Sequence, residues 1–211
     1  MKKQIILLTN LFLFLGSLAL NAQDTQQECN IKYNLFKGDY QSKKYEDAYP
    51  NWMYLMDNCQ KLSINVYKLG DKLAQVRFKN AENKTEAAAL VKRVYLQRLE
   101  NFPAKDPAKA HSNYATFLIK NKLASDEEVF EILQLAYSLD PTRMSVKNIY
   151  RYFQGITDTY KDTNPQKVFD TYDDVLESVG EKLADYAKKL KALNDKTEAG
   201  QDLDKRETKN L

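Results

Sequence analysis

The chain has 211 residues, of which 43% are hydrophobic and 11% aromatic, so it is long and apolar enough to bury a core. Its 32 lysines and arginines nearly balance 29 aspartates and glutamates, which gives a net charge of only +3. Basic and acidic residues alternate along most of the chain, a pattern typical of a solvated helical surface. Together these features argue against a nucleic-acid partner.

The N-terminal segment 1–22 has the pattern of a secretory signal peptide. Lys2 and Lys3 form a short basic start, residues 5–20 are mostly apolar, and Ala22 provides a small residue before the expected cleavage site. A membrane anchor is the alternative, but it needs about 20 predominantly apolar residues, and polar residues interrupt this run. We therefore expect cleavage after Ala22 and export of a mature chain that has no transmembrane span.

The rest of the chain is predicted to be helical, because apolar residues recur at spacings of three and four and no long segment alternates apolar with polar residues. The first two apolar stripes are Cys29, Tyr33, Phe36 and Tyr40, followed by Tyr45, Ala48, Trp52, Leu55 and Cys59. Only the polar segment 41–44 separates them. Two amphipathic helices joined so closely are expected to fold back on each other as an antiparallel hairpin.

Two further helix pairs follow. The second pair carries Val66, Leu69, Leu73 and Ala74, then Ala87, Val91, Tyr95, Leu99 and Phe102. The third pair begins near Pro107, which a first helical turn tolerates, and its stripes are Ala110, Tyr114, Phe117 and Leu118, then Val129, Ile132, Leu133 and Ala136. Ser125 and Glu128 predict a capping box at the start of its second helix.

The fourth pair ends in an unusually long helix. Its first helix carries Val146, Ile149, Phe153, Ile156 and Tyr160. Asn164 and Pro165 mark the start of the second helix. Its apolar residues recur every three or four positions from Val168 to Leu193, for about seven turns. We expect this helix to cap the array or to pack against another chain, with Gly180 as its weak point.

The predicted fold is therefore all-α. Eight helices are expected to form antiparallel hairpin repeats, as in an α-solenoid. The repeat domain is predicted to cover residues 23–196, and residues 197–211 are expected to form a polar, disordered tail.

Two segments resemble tetratricopeptide repeats, which are helix hairpins with a small residue at the helix crossing. The resemblance is carried by Tyr45, Ala48, Trp52 and Leu55, and by Leu133, Ala136 and Pro141. The region from Ser125 to Asp174 also resembles a group of exported tetratricopeptide-like proteins of Bacteroidota, and the Ala22–Gln23 junction is similar to leaders of those bacteria. The resemblance implies a periplasmic protein and brings no catalytic residues, no cofactor and no activity.

The two cysteines are predicted to form a disulfide. Cys29 lies at the start of the first helix and Cys59 at the end of the second, and these positions are neighbours in an antiparallel hairpin. An exported chain also meets an oxidising environment. The alternative is two buried thiols, each on its own apolar stripe.

Patterns for catalysis are mostly missing from the sequence. His111 is the single histidine, and we expect it to be a surface or groove residue and not a general base. An acidic cluster at Asp170, Asp173, Asp174 and Glu177 lacks the glycine turn of a calcium loop. We interpret it as a solvated helix face, and we assign no catalytic, cofactor or metal site.

The sequence favours a non-catalytic adaptor or scaffold in the cell envelope that binds a protein or peptide. In helical repeat arrays the first helices of each pair line the concave face. Candidate partner-binding residues are the polar ones that lie there beside the apolar stripes: Lys37, Gln41, Asn121, Lys147, Arg151 and Gln154. A chaperone for unfolded exported proteins is the alternative, and exposed apolar patches would favour it.

Overall fold

The computed structural model describes residues 26–204 and 207–208, so the predicted leader lies outside the described residues. The described chain is helical and contains no strand, which confirms the all-α prediction. Its eight α-helices are α1 (26–41), α2 (Tyr45–Asn58), α3 (Asn65–Asn80), α4 (Lys84–Asn101), α5 (Pro107–Asn121), α6 (Asp126–Leu139), α7 (Val146–Tyr160) and α8 (Pro165–Glu198). A short 3₁₀ turn, Pro141–Arg143, joins α6 to α7.

The described part of the chain divides between Lys105 and Asp106 into two compact units, which we call unit 1 and unit 2 in chain order. In unit 1, α3 packs against both α2 and α4. In unit 2, α5 packs against α6, α6 against α7, and α7 against α8. Packing between sequential helices is the arrangement expected of hairpin repeats.

Trp52 of α2 is the centre of the unit 1 core. Its side chain is fully buried, and its indole Nε1 donates a hydrogen bond to the carbonyl oxygen of Val66 in α3, at 3.0 Å. Gly70, one turn further along α3, lies directly against the indole ring. Because glycine has no Cβ, α3 can approach the ring closely enough for this bond to form.

The predicted disulfide is confirmed. Cys29 of α1 and Cys59, the residue after α2, are bonded, and their Cα atoms are 5.8 Å apart. The bridge joins the beginning of the first hairpin to its end. It closes a segment that spans 30 residues of sequence.

Helix caps in unit 2 follow the sequence signals. Ser125 and Glu128 form the predicted capping box at the start of α6. Pro107 occupies the first turn of α5, and the Asn164 side chain accepts a hydrogen bond from the backbone N–H of Lys167 at the start of α8. The side-chain caps of α6 and α8 satisfy N–H groups that the first turn of a helix leaves free, and the proline of α5 has no N–H to satisfy.

Asn148 of α7 is a buried polar anchor between α7 and α5. Its side chain is 0% exposed, and its amide Nδ2 donates to the carbonyl oxygen of Ser112 at 2.8 Å. The same nitrogen lies 2.9 Å from the hydroxyl oxygens of Ser112 and Thr116, and its Oδ1 accepts from Arg151 at 3.0 Å. A buried polar group stabilises a fold only when its bonds are satisfied.

We expect Asn148→Ala to lower the free energy of unfolding of unit 2 by about 2 kcal/mol, because it removes these bonds and leaves the buried Ser112 hydroxyl with fewer partners. Asn113→Ala, at an exposed position of α5, is the matched control and should change stability by less than about 0.5 kcal/mol. The free energy of unfolding of each variant is measured by urea titration, with hydrogen exchange at the α7 amides as the readout. Equal protection in the two variants would contradict the assignment.

Candidate protein-binding sites

A groove of about 600 Å³ lies on unit 1 where α2, α3 and α4 meet. Half-buried Met53 and Leu90 contribute apolar surface to it, and charged side chains surround them. The residues that line the groove are Glu46, Tyr49, Met53, Arg77, Asn80, Ala81, Asn83, Glu86, Ala87, Ala89, Leu90 and Arg93. An apolar surface with a few fixed polar groups around it is typical of sites that bind ligands or protein side chains.

Arg77 occupies the α3 side of the groove. Its guanidinium lies over the Tyr49 ring, 3.7 Å from the ring centroid, and its Nη1 is 2.7 Å from Oε2 of Glu46. A planar guanidinium can stack on an aromatic face and pair with a carboxylate at the same time. Arg77 is therefore held in place by two neighbours of α2.

Arg93 occupies the α4 side. Its guanidinium pairs with Asp57 and donates to the carbonyl oxygen of Met56, at 3.3 Å. The turn between α3 and α4 is fixed as well, because Asn83 accepts a hydrogen bond from the backbone of Glu86 at 3.1 Å. The groove is thus built from side chains that the fold already orients.

A second surface runs along α8. This helix turns a partly polar face to its own unit, where Thr171, Ser178 and Lys182 are buried and the Lys182 ammonium donates to the carbonyl oxygen of Thr142 at 2.7 Å. Six of its large apolar side chains are between 45% and 65% exposed, and one of them, Tyr172, also contacts the Phe153 ring of α7, with the ring centroids 5.9 Å apart. We call this set the α8 stripe: Phe169, Tyr172, Leu176, Leu183, Tyr186 and Leu190.

The C-terminal half of α8 has little support from its own chain. Residues 183–192 are all exposed, on every side of the helix. Further along, Lys196 pairs with Glu207, and Leu193 is buried. Isolated helices shorter than about 12–15 residues are marginal in water, so a helix exposed in this way gains much from a covering surface.

The six predicted binding residues differ in exposure. Lys37 and Gln41 of unit 1 are exposed, as are Lys147 and Gln154 of unit 2. Asn121 and Arg151 are half-buried and already hydrogen-bonded, Asn121 to the Phe117 carbonyl oxygen at 2.8 Å and Arg151 to Asn148. None of the six lines the unit 1 groove.

The expected surface position of His111 was wrong. The imidazole is only 6% exposed, and burial lowers its pKa below the usual value. Its neighbours on the same face of α5, Ala108 and Ala115, are buried too. Their small side chains let α5 pack on a wider face than the predicted stripe, and His111 lies within that face.

The acidic residues of α8 are exposed, as expected for a solvated face. Within the part of the chain that the structure describes, no group of three or more His, Cys, Asp or Glu side chains could hold a metal ion. No helix among the described residues is both long and apolar enough to cross a membrane.

Asp71 of α3 is a half-buried carboxylate with a perturbed pKa. Burial raises its pKa, while the hydrogen bond from Gln75, at 3.0 Å, and the nearby charge of Arg98 partly oppose that effect. Asp71 does not line the unit 1 groove. Its raised pKa is therefore more consistent with core packing than with acid–base chemistry.

Comparisons with known proteins add no family. No protein-family model matches the chain, and no curated protein matches it.

Proposed function

We propose that this chain is an exported, non-catalytic helical-repeat protein of tetratricopeptide-like architecture, which acts as an adaptor or scaffold in the periplasm. The observation that carries the proposal is the unit 1 groove, which combines apolar side chains with arginines held by ion pairs. A disulfide ties the hairpin that contributes one wall of this groove. A pre-formed site of this kind suits a defined partner.

The groove favours a protein segment with an apolar anchor residue. Met53 and Leu90 offer contact area, and Tyr49 adds an aromatic face below Arg77. Both arginines already have carboxylate neighbours, so the rim offers charge of both signs. We infer that the partner presents an apolar side chain flanked by polar residues and not a uniformly acidic surface.

The test is site-specific crosslinking in the native cell. A photo-reactive amino acid at Ala87, inside the groove, is expected to capture one or a few proteins, whereas the same group at exposed Gln134 of α6 should capture none of them. Mass spectrometry identifies the adducts. Equal adduct patterns at both positions would contradict a specific groove.

A pair of variants on one helix sharpens this prediction. Leu90→Arg places a charge in the groove and should weaken binding of the captured partner roughly tenfold or more, as loss of a central apolar contact does. Leu96→Arg, at a half-exposed position of the same helix outside the groove, should leave binding unchanged. If both variants bind equally well, the partner does not use the groove.

Export rests on the leader pattern, and the disulfide is compatible with it. We expect protein isolated from the periplasm to begin at Gln23. Mass spectrometry of the intact chain measures this directly. A full-length chain retained in the cytoplasm would exclude the periplasmic role.

The chaperone alternative is favoured by one feature, the α8 stripe, because exposed apolar surface can bind unfolded chains. A chaperone would suppress aggregation of several unrelated unfolded proteins, and a Leu183→Glu change within the stripe would abolish that activity. An adaptor would show no such activity toward general substrates.

A further inference from the structure

We propose that the α8 stripe is a homodimer interface, in which α8 of a second copy of this chain lies antiparallel across it. This goes beyond the proposed adaptor function and does not depend on the unit 1 groove. Four features of α8 support it: the spacing of its apolar residues, the division of the helix into an anchored and an unsupported half, the opposite charges of these halves, and the position of Gly180.

The apolar residues of α8 repeat as a coiled-coil seam. From Phe169 to Leu193 the spacing is 3, 4, 3, 4, 3, 4 and 3, with Val179 completing the stripe at its middle. Such a heptad pattern keeps one apolar face toward a partner helix. Six of these eight residues are exposed in this chain, whereas Val179 is half-buried and Leu193 is buried.

This pattern is symmetric for antiparallel pairing. When residue 181 of each copy is placed at a two-fold axis, Leu183 of one chain lies opposite Val179 of the other, Tyr186 lies opposite Leu176, and Leu190 lies opposite Tyr172. Each seam position therefore meets another seam position. A closed two-fold interface requires this self-complementarity.

Antiparallel pairing also places the unsupported half of each α8 against the anchored half of the other copy. Residues 165–182 are anchored on unit 2, whereas residues 183–192 are exposed on all sides. In the antiparallel pair, the exposed half of one copy lies on the anchored half of the other. A parallel pair would leave the two unsupported halves to cover only each other.

The charges of the two halves are opposite. Residues 165–181 carry five acidic side chains and one lysine, whereas residues 182–198 carry five lysines and three acidic side chains. Antiparallel pairing places unlike halves together, and parallel pairing places like halves together. Charge therefore favours the same orientation as the apolar pattern.

Gly180 lies where the two helices would cross. It is exposed inside the helix, and a side chain there would meet no atom of its own chain within 4 Å. Glycine weakens a helix interior, and no packing contact of this chain requires it. Beside the proposed two-fold axis, however, a glycine from each copy lets the two backbones approach.

Sedimentation of the full mature chain tests the interface. We expect a dimer, and Gly180→Gln should raise the dimer dissociation constant roughly tenfold to a hundredfold, since two bulky side chains would overpack the crossing. Circular dichroism should show undiminished helix in this variant. The matched control is Gly38→Gln in α1, at a glycine where an added Cβ would likewise meet no atom within 4 Å, and this variant should remain dimeric.

The relative orientation of the two α8 helices is tested with one added cysteine per chain. The native cysteines do not interfere, because they are already bonded to each other. Chains with Tyr172→Cys mixed with chains with Leu190→Cys should form a mixed disulfide, and neither variant alone should crosslink to itself. Self-crosslinking of each variant alone would indicate a parallel pair and overturn the proposal. A monomeric wild type at submillimolar concentration, or a stripe that crosslinks in cells to another protein instead, would overturn it too.

Discussion

Gly70→Ala is expected to lower the free energy of unfolding of unit 1 by about 3 kcal/mol. A Cβ at this position would lie 2.2 Å from Nε1 of Trp52 and 2.5 Å from Cε2, far inside van der Waals contact. The indole is fully buried and its N–H is bonded to Val66. It cannot move aside without losing that bond and disturbing the packing around it.

The measurement is a urea unfolding curve with tryptophan fluorescence as the readout. Trp52 is the chain's single tryptophan, so its emission reports on unit 1 alone. Gly38→Ala is the control, because Gly38 lies in α1 with open space around it. That change should raise stability by about 0.5–1 kcal/mol through helix propensity. A Gly70→Ala chain as stable as wild type would mean that α3 does not lie against the indole.

Removing the disulfide is expected to cost a similar amount. A double variant, Cys29→Ala with Cys59→Ala, should lose about 3.5 kcal/mol of unit 1 stability, since the bridge closes a loop of about 30 residues in the unfolded chain. Both positions are buried, and alanine avoids leaving a free thiol there.

Reduction of the wild-type chain provides the second arm of this experiment. Dithiothreitol should shift the wild-type unfolding curve most of the way to that of the double variant and should leave the double variant itself unchanged. Thiol titration of the unfolded, unreduced protein should find no free thiol. Two titratable thiols in that sample would show that the bridge is absent in solution.

The sequence predicted the helices well because their signals are local. Ser125 with Glu128, Pro107 and Asn164 mark helix starts through bonds within one turn, and apolar periodicity marks the face that is buried. The Cys29–Cys59 bridge could be predicted for the same reason, since a hairpin brings its two ends together whatever follows it.

The candidate sites were harder to predict from the sequence, because they depend on which helix packs against a given face. The groove combines Glu46, Arg77 and Arg93 from three helices, and no local pattern relates them. On α8, periodicity revealed a stripe but not that the helix would turn Ser178 and Lys182 inward instead. Burial of His111 reflects a wider buried face of α5 that also includes Ala108 and Ala115, which the predicted stripe left out.

The covalent tie between α1 and the end of α2 has a consequence for biogenesis. If the chain is exported as proposed, it meets reducing conditions before translocation, and the tie cannot persist there. Its first hairpin is then least stable while the polypeptide must thread through the secretion channel. Oxidation after passage would lock the hairpin and make the return to a threadable state unfavourable.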